Sequence, residues 1–190
     1  MSKSLSSEDS SHETESTHEA ASSVAHTPTA LNAFKQNVNS AQDLEQLVDI
    51  AIAQIVAAFS PDLVLFLLRD GEALPIIATH PSAVHPLYSD TRLHSVGECL
   101  CGLAASEGQA IYSGNIHSDP RCTWKECKTA GYHSFAALPL RGQEGVLGVL
   151  AVGSVRERNF AEDSESLQIM ADHLGRALDN TLRLQRALDQ

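Results

Sequence analysis

An apolar run followed by a turn motif constrains the fold of this chain more than any other feature. Residues 63–68 read LVLFLL, an uninterrupted apolar stretch of the length expected for a buried strand. Asp70-Gly71 follows, and this dipeptide favours the tight turn of a β-hairpin. We therefore predict that residues 74–79 return antiparallel to the run. A hairpin at this place favours an antiparallel sheet over the parallel sheet of βαβ units.

The remaining elements follow from periodicity. Apolar positions every three or four residues predict a helix that Ser40 caps and that ends near Phe59, and a long helix over residues 159–190. Further strands are predicted at 91–96, 110–112, 134–140 and 146–152, and short helices at 102–107 and 124–129. This order predicts an α+β fold. A central antiparallel β-sheet would carry the long terminal helices on one face and a pocket capped by short helices and loops on the other.

Composition separates a tail from a domain. Residues 1–30 are rich in Ser, Thr and Glu, so they cannot bury enough apolar surface to offset the entropy of ordering. We predict a disordered acidic tail there and a single domain over residues 31–190. With 190 residues, 43% of them hydrophobic, the chain can build a core without metal or disulfides.

Charge and hydropathy exclude several partners. The chain has 24 acidic and 13 basic residues and no basic stripe, which disfavours nucleic-acid binding. No apolar run approaches the roughly 18 residues of a membrane span, and the polar N-terminus does not resemble a secretory signal. We therefore expect a cytoplasmic protein without a membrane partner, whose thiols are kept reduced.

The C-terminal helix has more apolar positions than one sheet can cover. Leu174 and Leu178 can face the sheet, whereas Leu184 and Leu188 extend beyond the domain. An exposed stripe of this kind tends to pair with another helix. The pattern predicts a homodimer formed through the terminal helices.

All the cysteines lie within one segment, residues 96–140, together with the only tryptophan, Trp124. Cys99 and Cys101 form a Cys-x-Cys pair, while Cys122 and Cys127 are separated by four residues. The clustering indicates a functional site.

Several short motifs, in this order and spacing, resemble the GAF family of small-molecule sensor domains. They are Val96-Gly97, Gly-Leu-Ala-Ala at 102–105, Asn115-Ile116, Asp119-Pro120-Arg121, the strand at 134–140 and Gly-Val-Leu-Gly-Val-Leu-Ala-Val at 145–152. The resemblance implies a ligand pocket capped by the cysteine-bearing segment. It also implies terminal helices that pair between subunits, and a signalling partner such as a kinase or regulator.

The pocket that the resemblance implies would bind a small-molecule ligand or an oxidant. A cyclic nucleotide is one option, for which the turn at residues 115–120 is the single hint. The tryptophan is also compatible with a plain core position. The candidate wall residues are Phe66, Ile116, His117, Trp124 and Phe135.

The cysteines allow three interpretations. Four thiolates, Cys99, Cys101, Cys122 and Cys127, are the right ligand count for zinc or an iron–sulfur cluster, and the absence of Cys-x-x-Cys spacing favours the cluster. The resemblance to the GAF family permits such a cluster, because the family includes redox-sensing proteins. Alternatively, Cys101 precedes a predicted helix start, where the dipole favours thiolate, and could pair with Cys127 on oxidation. Lastly, all four could be buried small apolar residues.

One enzyme subgroup of the family, the free methionine-(R)-sulfoxide reductases, places catalytic cysteines near the positions of Cys101 and Cys127. This chain lacks the subgroup's aromatic residues on the early hairpin, and it reads Phe135-Ala-Ala137 where the subgroup has a Glu. A zwitterionic substrate needs polar partners, because burying an unpaired charge is costly. We therefore predict a stand-alone sensor of redox state or of a small ligand, without catalytic residues. A reductase is the alternative, and a small-molecule binding module is the second.

Overall fold

The structure is a computed structural model that describes residues 27–82 and 94–190. The tail predicted for residues 1–30 lies almost wholly outside these residues. Its last three residues, 28–30, instead form the first turn of a helix. None of the helices in the two described ranges is long and apolar enough to cross a membrane.

Within residues 27–82 and 94–190 the strands form a five-stranded antiparallel sheet, in the order β3-β1-β7-β6-β5, and a small two-stranded sheet of β2 and β4. Their bounds are β1 Leu63–Leu68, β2 Ala73–Leu74, β3 Ile76–His80, β4 His94–Ser95, β5 Ile111–Ser113, β6 Ser134–Gly142 and β7 Gly145–Ser154.

The predicted hairpin forms, with one difference. β1 pairs with β3 in the register Leu65 to Thr79, but Leu74 pairs with His94 instead. Pro75 separates the two pairings, and a proline cannot donate a hydrogen bond to a sheet ladder. The return strand therefore begins at Ile76 rather than at residue 74.

The helices are α1 Pro28–Asn39, α2 Leu44–Phe59, α3 Cys99–Glu107, α4 Lys125–Thr129 and α5 Ser164–Leu188, the last preceded by a 3₁₀ turn at Phe160–Asp163. The prediction that Ser40 caps α2 is wrong. Asp43 is the cap, because its carboxylate accepts the backbone N–H of Gln46 at 2.8 Å, and Ser40 instead ends α1.

The sheet separates two layers. Val64 and Phe66 of β1 pack among α1, α2 and α5, while Leu63, Leu65 and Leu67 pack against α3 and the loops around α4. The predicted α+β architecture is confirmed, with the long terminal helices on one face and the short helices and loops on the other.

Candidate functional site

The four cysteines lie together on the face of the sheet opposite the terminal helices. Each is at most 7% exposed. We call the buried layer that they join the cap cluster. Its other members include side chains of β1, β6 and β7 and the following residues of the intervening segments: Leu74, Leu100, Ala104, Ala105, Ile111, Ile116, Trp124 and Tyr132.

Two of the thiols are in contact. The Sγ atoms of Cys99 and Cys122 are 3.9 Å apart, although 23 residues separate them along the chain. Cys99 is the first residue of α3, and Cys122 lies in the loop before α4. Cys99 has a φ of 58°, a left-handed conformation that is uncommon for a residue other than glycine.

Cys99 is the acidic member of this pair. The Cys122 S–H group stabilises the Cys99 thiolate and, although burial opposes it, lowers the pKa of Cys99 to about 6. Backbone groups of Trp124, Leu100 and Thr123 contribute in the same direction. The start of α3 adds the positive end of a helix dipole. The same interaction raises the pKa of Cys122, with burial adding to the effect.

Cys101 has the opposite character. Its burial raises the pKa of its thiol well above the ordinary value, and the neighbouring Cys127 and Cys99 raise it further. The prediction that Cys101 lies just before the helix start is wrong, because α3 begins at Cys99 and not at residue 102. Cys99 therefore occupies the position favourable to a thiolate.

The thiols as placed do not fit the ligand set of a metal. Within residues 27–82 and 94–190, no three Cys, His, Asp or Glu side chains are grouped so that they could hold one ion. Cys99 and Cys122 instead contact each other directly. Binding of zinc or of an iron–sulfur cluster by the four cysteines stays a prediction.

The candidate wall residues divide between the two faces of the sheet. Ile116, Trp124 and Phe135 share the cap cluster with the cysteines. Phe66 does not, because alternate residues of β1 point to opposite faces and Phe66 packs against the terminal helices. His117 is exposed, with its Nε2 3.1 Å from the carbonyl oxygen of Tyr132.

An aromatic pair supports the loop between β5 and α4, which carries Cys122 and which we call the cysteine loop. Trp124 stacks on the ring of His94 with centroids 3.5 Å apart and an interplanar angle of 12°. His94 belongs to β4 and is buried. Sequence reasoning missed this role of His94, because no local pattern relates it to a tryptophan thirty positions later.

The turn that carries Cys122 is held by charge. Arg121 Nη2 donates to Asp119 Oδ2 at 2.7 Å and to the carbonyl oxygen of Tyr112 at 2.9 Å. These contacts with Arg121 hold the pKa of Asp119 well below its usual range. Asp119 and Arg121 were predicted only as part of a family motif, whereas the structure assigns them the positioning of the loop beside Cys122.

Among the described residues, open cavities lie on the side of the terminal helices. One, of about 560 Å³, is lined by polar residues that include Arg141, Arg176 and Asp179. The other, of about 450 Å³, lies between the end of α1 and α5. Residues 83–93, which connect β3 to β4, lie outside the described residues, and the pocket predicted on the cap side stays a prediction.

Solved structures share this fold. The GAF domain of a phosphoenolpyruvate-protein phosphotransferase from Coxiella burnetii is 23% identical, with 85% of this chain and 95% of that chain covered and a TM-score of 0.69. The free methionine-R-sulfoxide reductase from Neisseria meningitidis, in complex with its substrate, is 19% identical over 82% and 89% of the two chains, with a TM-score of 0.66. The GAF domain of a two-component sensor histidine kinase from Bacillus halodurans is 16% identical over 79% and 100%, with a TM-score of 0.61.

No curated protein sequence matches this chain. The family model described as GAF domain matches residues 41–179, which is most of the chain and runs from three residues before α2 into α5. The match includes the whole sheet and all four cysteines. The chain therefore belongs to the GAF domain family.

Proposed function

We propose that this protein is a GAF-type sensory module that detects oxidants through the Cys99–Cys122 thiol pair. The observation that carries the proposal is the 3.9 Å contact between the two sulfur atoms. A thiolate beside a second thiol is the arrangement of a redox sensor, because the second thiol can resolve the first oxidation product.

The chemistry needs a peroxide as oxidant. The Cys99 thiolate attacks one peroxide oxygen, the O–O bond breaks, and the other oxygen leaves as water or alcohol after taking up a proton. Cys99 is then a sulfenic acid. The Cys122 sulfur attacks it, the S–S bond forms, and hydroxide leaves with the Cys122 proton as water. The two thiols together lose two electrons and two protons, and the peroxide is reduced.

Cys99 and Cys101 both lie on α3 but differ in exposure and in pKa, and this difference is consistent with oxidant sensing by Cys99. Cys99 is 7% exposed and has a lowered pKa, whereas Cys101 is 3% exposed and has a raised pKa. A thiol that stays protonated is a poor nucleophile. These properties favour Cys99 over the predicted Cys101–Cys127 pair as the oxidant-sensitive group.

Peptide mapping tests the proposal. The anaerobically purified full chain is treated with hydrogen peroxide, alkylated and digested, and cross-linked peptides are identified by mass spectrometry. We expect a Cys99–Cys122 disulfide that a dithiol reductant reverses. Oxidation that leaves both residues as free thiols, or that links Cys101 to Cys127 first, would overturn the proposal.

The ionisation of Cys99 gives an independent prediction. Its thiolate should appear as the pH rises through about 6, while an ordinary thiol would ionise near pH 8.5. The ultraviolet absorbance of thiolate, recorded as a difference between the native chain and Cys99→Ala, measures this without a need for reagent access.

Cys122→Ala is the matched variant for that titration. It removes the main group that stabilises the Cys99 thiolate, so the Cys99 transition should move to higher pH by about one unit or more. An unchanged transition in Cys122→Ala would contradict the assigned contact.

A reductase of free methionine sulfoxide is the second candidate. It is favoured by the structural likeness to the Neisseria meningitidis enzyme and by the position of Cys127 in the cap cluster. The raised pKa of Cys101 argues against a reductase. An assay with free methionine sulfoxide and a thiol reductant separates the two functions. Turnover that Cys127→Ser abolishes would favour the enzyme over the sensor.

We also propose that the module is a homodimer that passes its signal to a partner such as a kinase or regulator. Leu184 is 64% exposed and Leu188 is 85% exposed, and both lie on the last turns of α5. Light scattering at micromolar concentration should report twice the chain mass. The double variant Leu184→Glu/Leu188→Glu should shift the mass to that of a monomer. A native chain that scatters as a monomer would exclude the dimer.

A further inference from the structure

The residue next to Cys122 is anchored to the edge strand of the sheet. Arg121 donates from its backbone N–H and its Nε to Asp119 Oδ1, at 2.9 and 3.0 Å, and from Nη2 to Asp119 Oδ2. The same Nη2 reaches the carbonyl oxygen of Tyr112 on β5. The Arg121 guanidinium therefore links the residue before Cys122 to β5.

Tyr112 connects β5 to the other side of the sheet. Its side chain packs against the core formed by the terminal helices, and its hydroxyl lies 3.3 Å from Nε2 of Gln168. Gln168 belongs to the second turn of α5. Two residues, Arg121 and Tyr112, thus join the cysteine loop to the long terminal helix.

Formation of the Cys99–Cys122 disulfide requires the two sulfur atoms to move towards each other. The sulfur atoms are 3.9 Å apart, and an S–S bond is about 2.05 Å long, so they must approach by about 1.9 Å. Cys99 lies on α3, which packs against β6 and β7. Cys122 lies in a loop, where its own backbone N–H donates to the carbonyl oxygen of Asp119. Because Cys99 is part of a hydrogen-bonded helix and Cys122 lies outside any helix or strand, the loop should take most of the displacement.

We propose that formation of the Cys99–Cys122 disulfide is transmitted to α5 through Arg121 and Tyr112. The approach of Cys122 to α3 shifts Arg121 relative to Asp119 and the Tyr112 carbonyl. The contact between the Tyr112 hydroxyl and Gln168 then differs between the two redox states. A coupling of this kind needs such a difference, because an event that leaves the helix contacts unchanged cannot bias the helix. This inference rests on the proposed function.

Hydrogen exchange of the full chain tests whether disulfide formation is transmitted to α5. Reduced and peroxide-oxidised protein are compared by mass spectrometry for the native chain, for Tyr112→Phe and for the control Tyr132→Phe. Tyr132 is a tyrosine of the cap cluster rather than of the helix side. Peptide mapping of the same samples establishes that the disulfide has formed.

In the native chain and in Tyr132→Phe, oxidation should change the exchange rate of the first turns of α5 by about twofold or more. In Tyr112→Phe the disulfide should form normally while that change is lost. Arg121→Lys, which cannot reach both acceptors as the guanidinium does, should also reduce it.

The outcomes separate the two proposals. If the disulfide forms and α5 responds equally in the native chain and in Tyr112→Phe, the route through Tyr112 is wrong and the sensing proposal stands. If α5 does not respond in the native chain although the disulfide forms, the transmission itself is wrong. If no disulfide forms, both the sensing proposal and this inference fail.

Discussion

Replacing Cys99 with alanine is expected to slow the peroxide-driven loss of thiols by about 100-fold at pH 7. The reason is the thiolate fraction. A thiol with a pKa of about 6 is mostly ionised at neutral pH, whereas one with a pKa near 9 is ionised to about 1%. In Cys99→Ala the remaining thiols are less reactive, because burial raises the pKa of Cys101 and also that of Cys122, even without its contact with Cys99. Titration of free thiols against time after peroxide addition measures the effect.

Cys101→Ala is the matched control for that experiment. Cys101 lies two positions further along the same helix, is similarly buried, and keeps its thiol protonated. Its replacement should leave the rate within about threefold of the native value. The assignment of Cys99 as the reactive thiol fails if Cys101→Ala slows oxidation as much as Cys99→Ala does. It fails equally if Cys99→Ala retains the native rate.

Gly175→Ala is expected to reduce the free energy of unfolding by about 3 kcal/mol. A Cβ at Gly175 would lie 2.5 Å from both the backbone N and the backbone O of Arg141. These are main-chain atoms of β6, so neither α5 nor the strand can relieve the overlap by turning a side chain. Urea denaturation followed by circular dichroism measures the change.

Helix propensity predicts the opposite sign, which makes the result decisive. In an exposed helix, replacing glycine with alanine stabilises by up to about 1 kcal/mol. Gly114→Ala serves as the control, because nothing lies within 4 Å of the position that a Cβ atom would take there and its φ is not left-handed. It should change stability by less than about 0.5 kcal/mol. A Gly175→Ala variant at least as stable as the native chain would show that α5 does not approach β6 this closely.

Local patterns determined the elements and their order. The apolar run of β1 was predicted with its observed bounds, Leu63–Leu68, because six consecutive apolar residues flanked by turn signals suit a buried strand. The end of α2 at Phe59 was predicted because Pro61 disfavours helix at the residue before it. The signals for these elements lie within a few residues of the positions they specify, so the sequence alone is sufficient for them.

Local patterns failed where the signal was missing or ambiguous. The start of α3 at Cys99 was missed because its N-cap residue, Glu98, is not one of the residue types that signal a helix start. The face that Phe66 occupies could not be read from β1, because a strand that is apolar at every position does not show which side meets the terminal helices.

The sequence by itself also determined that the cysteines share one segment, and its motifs indicated the GAF family. Only the tertiary structure decided which thiols meet. Cys99 lies at the start of a helix and Cys122 in a loop 23 residues later, and their contact depends on how α3 and that loop pack over the sheet. The same packing buries Cys101 and gives Cys99 its neighbours. The reactivity of a thiol is set by such neighbours rather than by its spacing along the chain, because the stabilisation of a thiolate requires donors within contact distance.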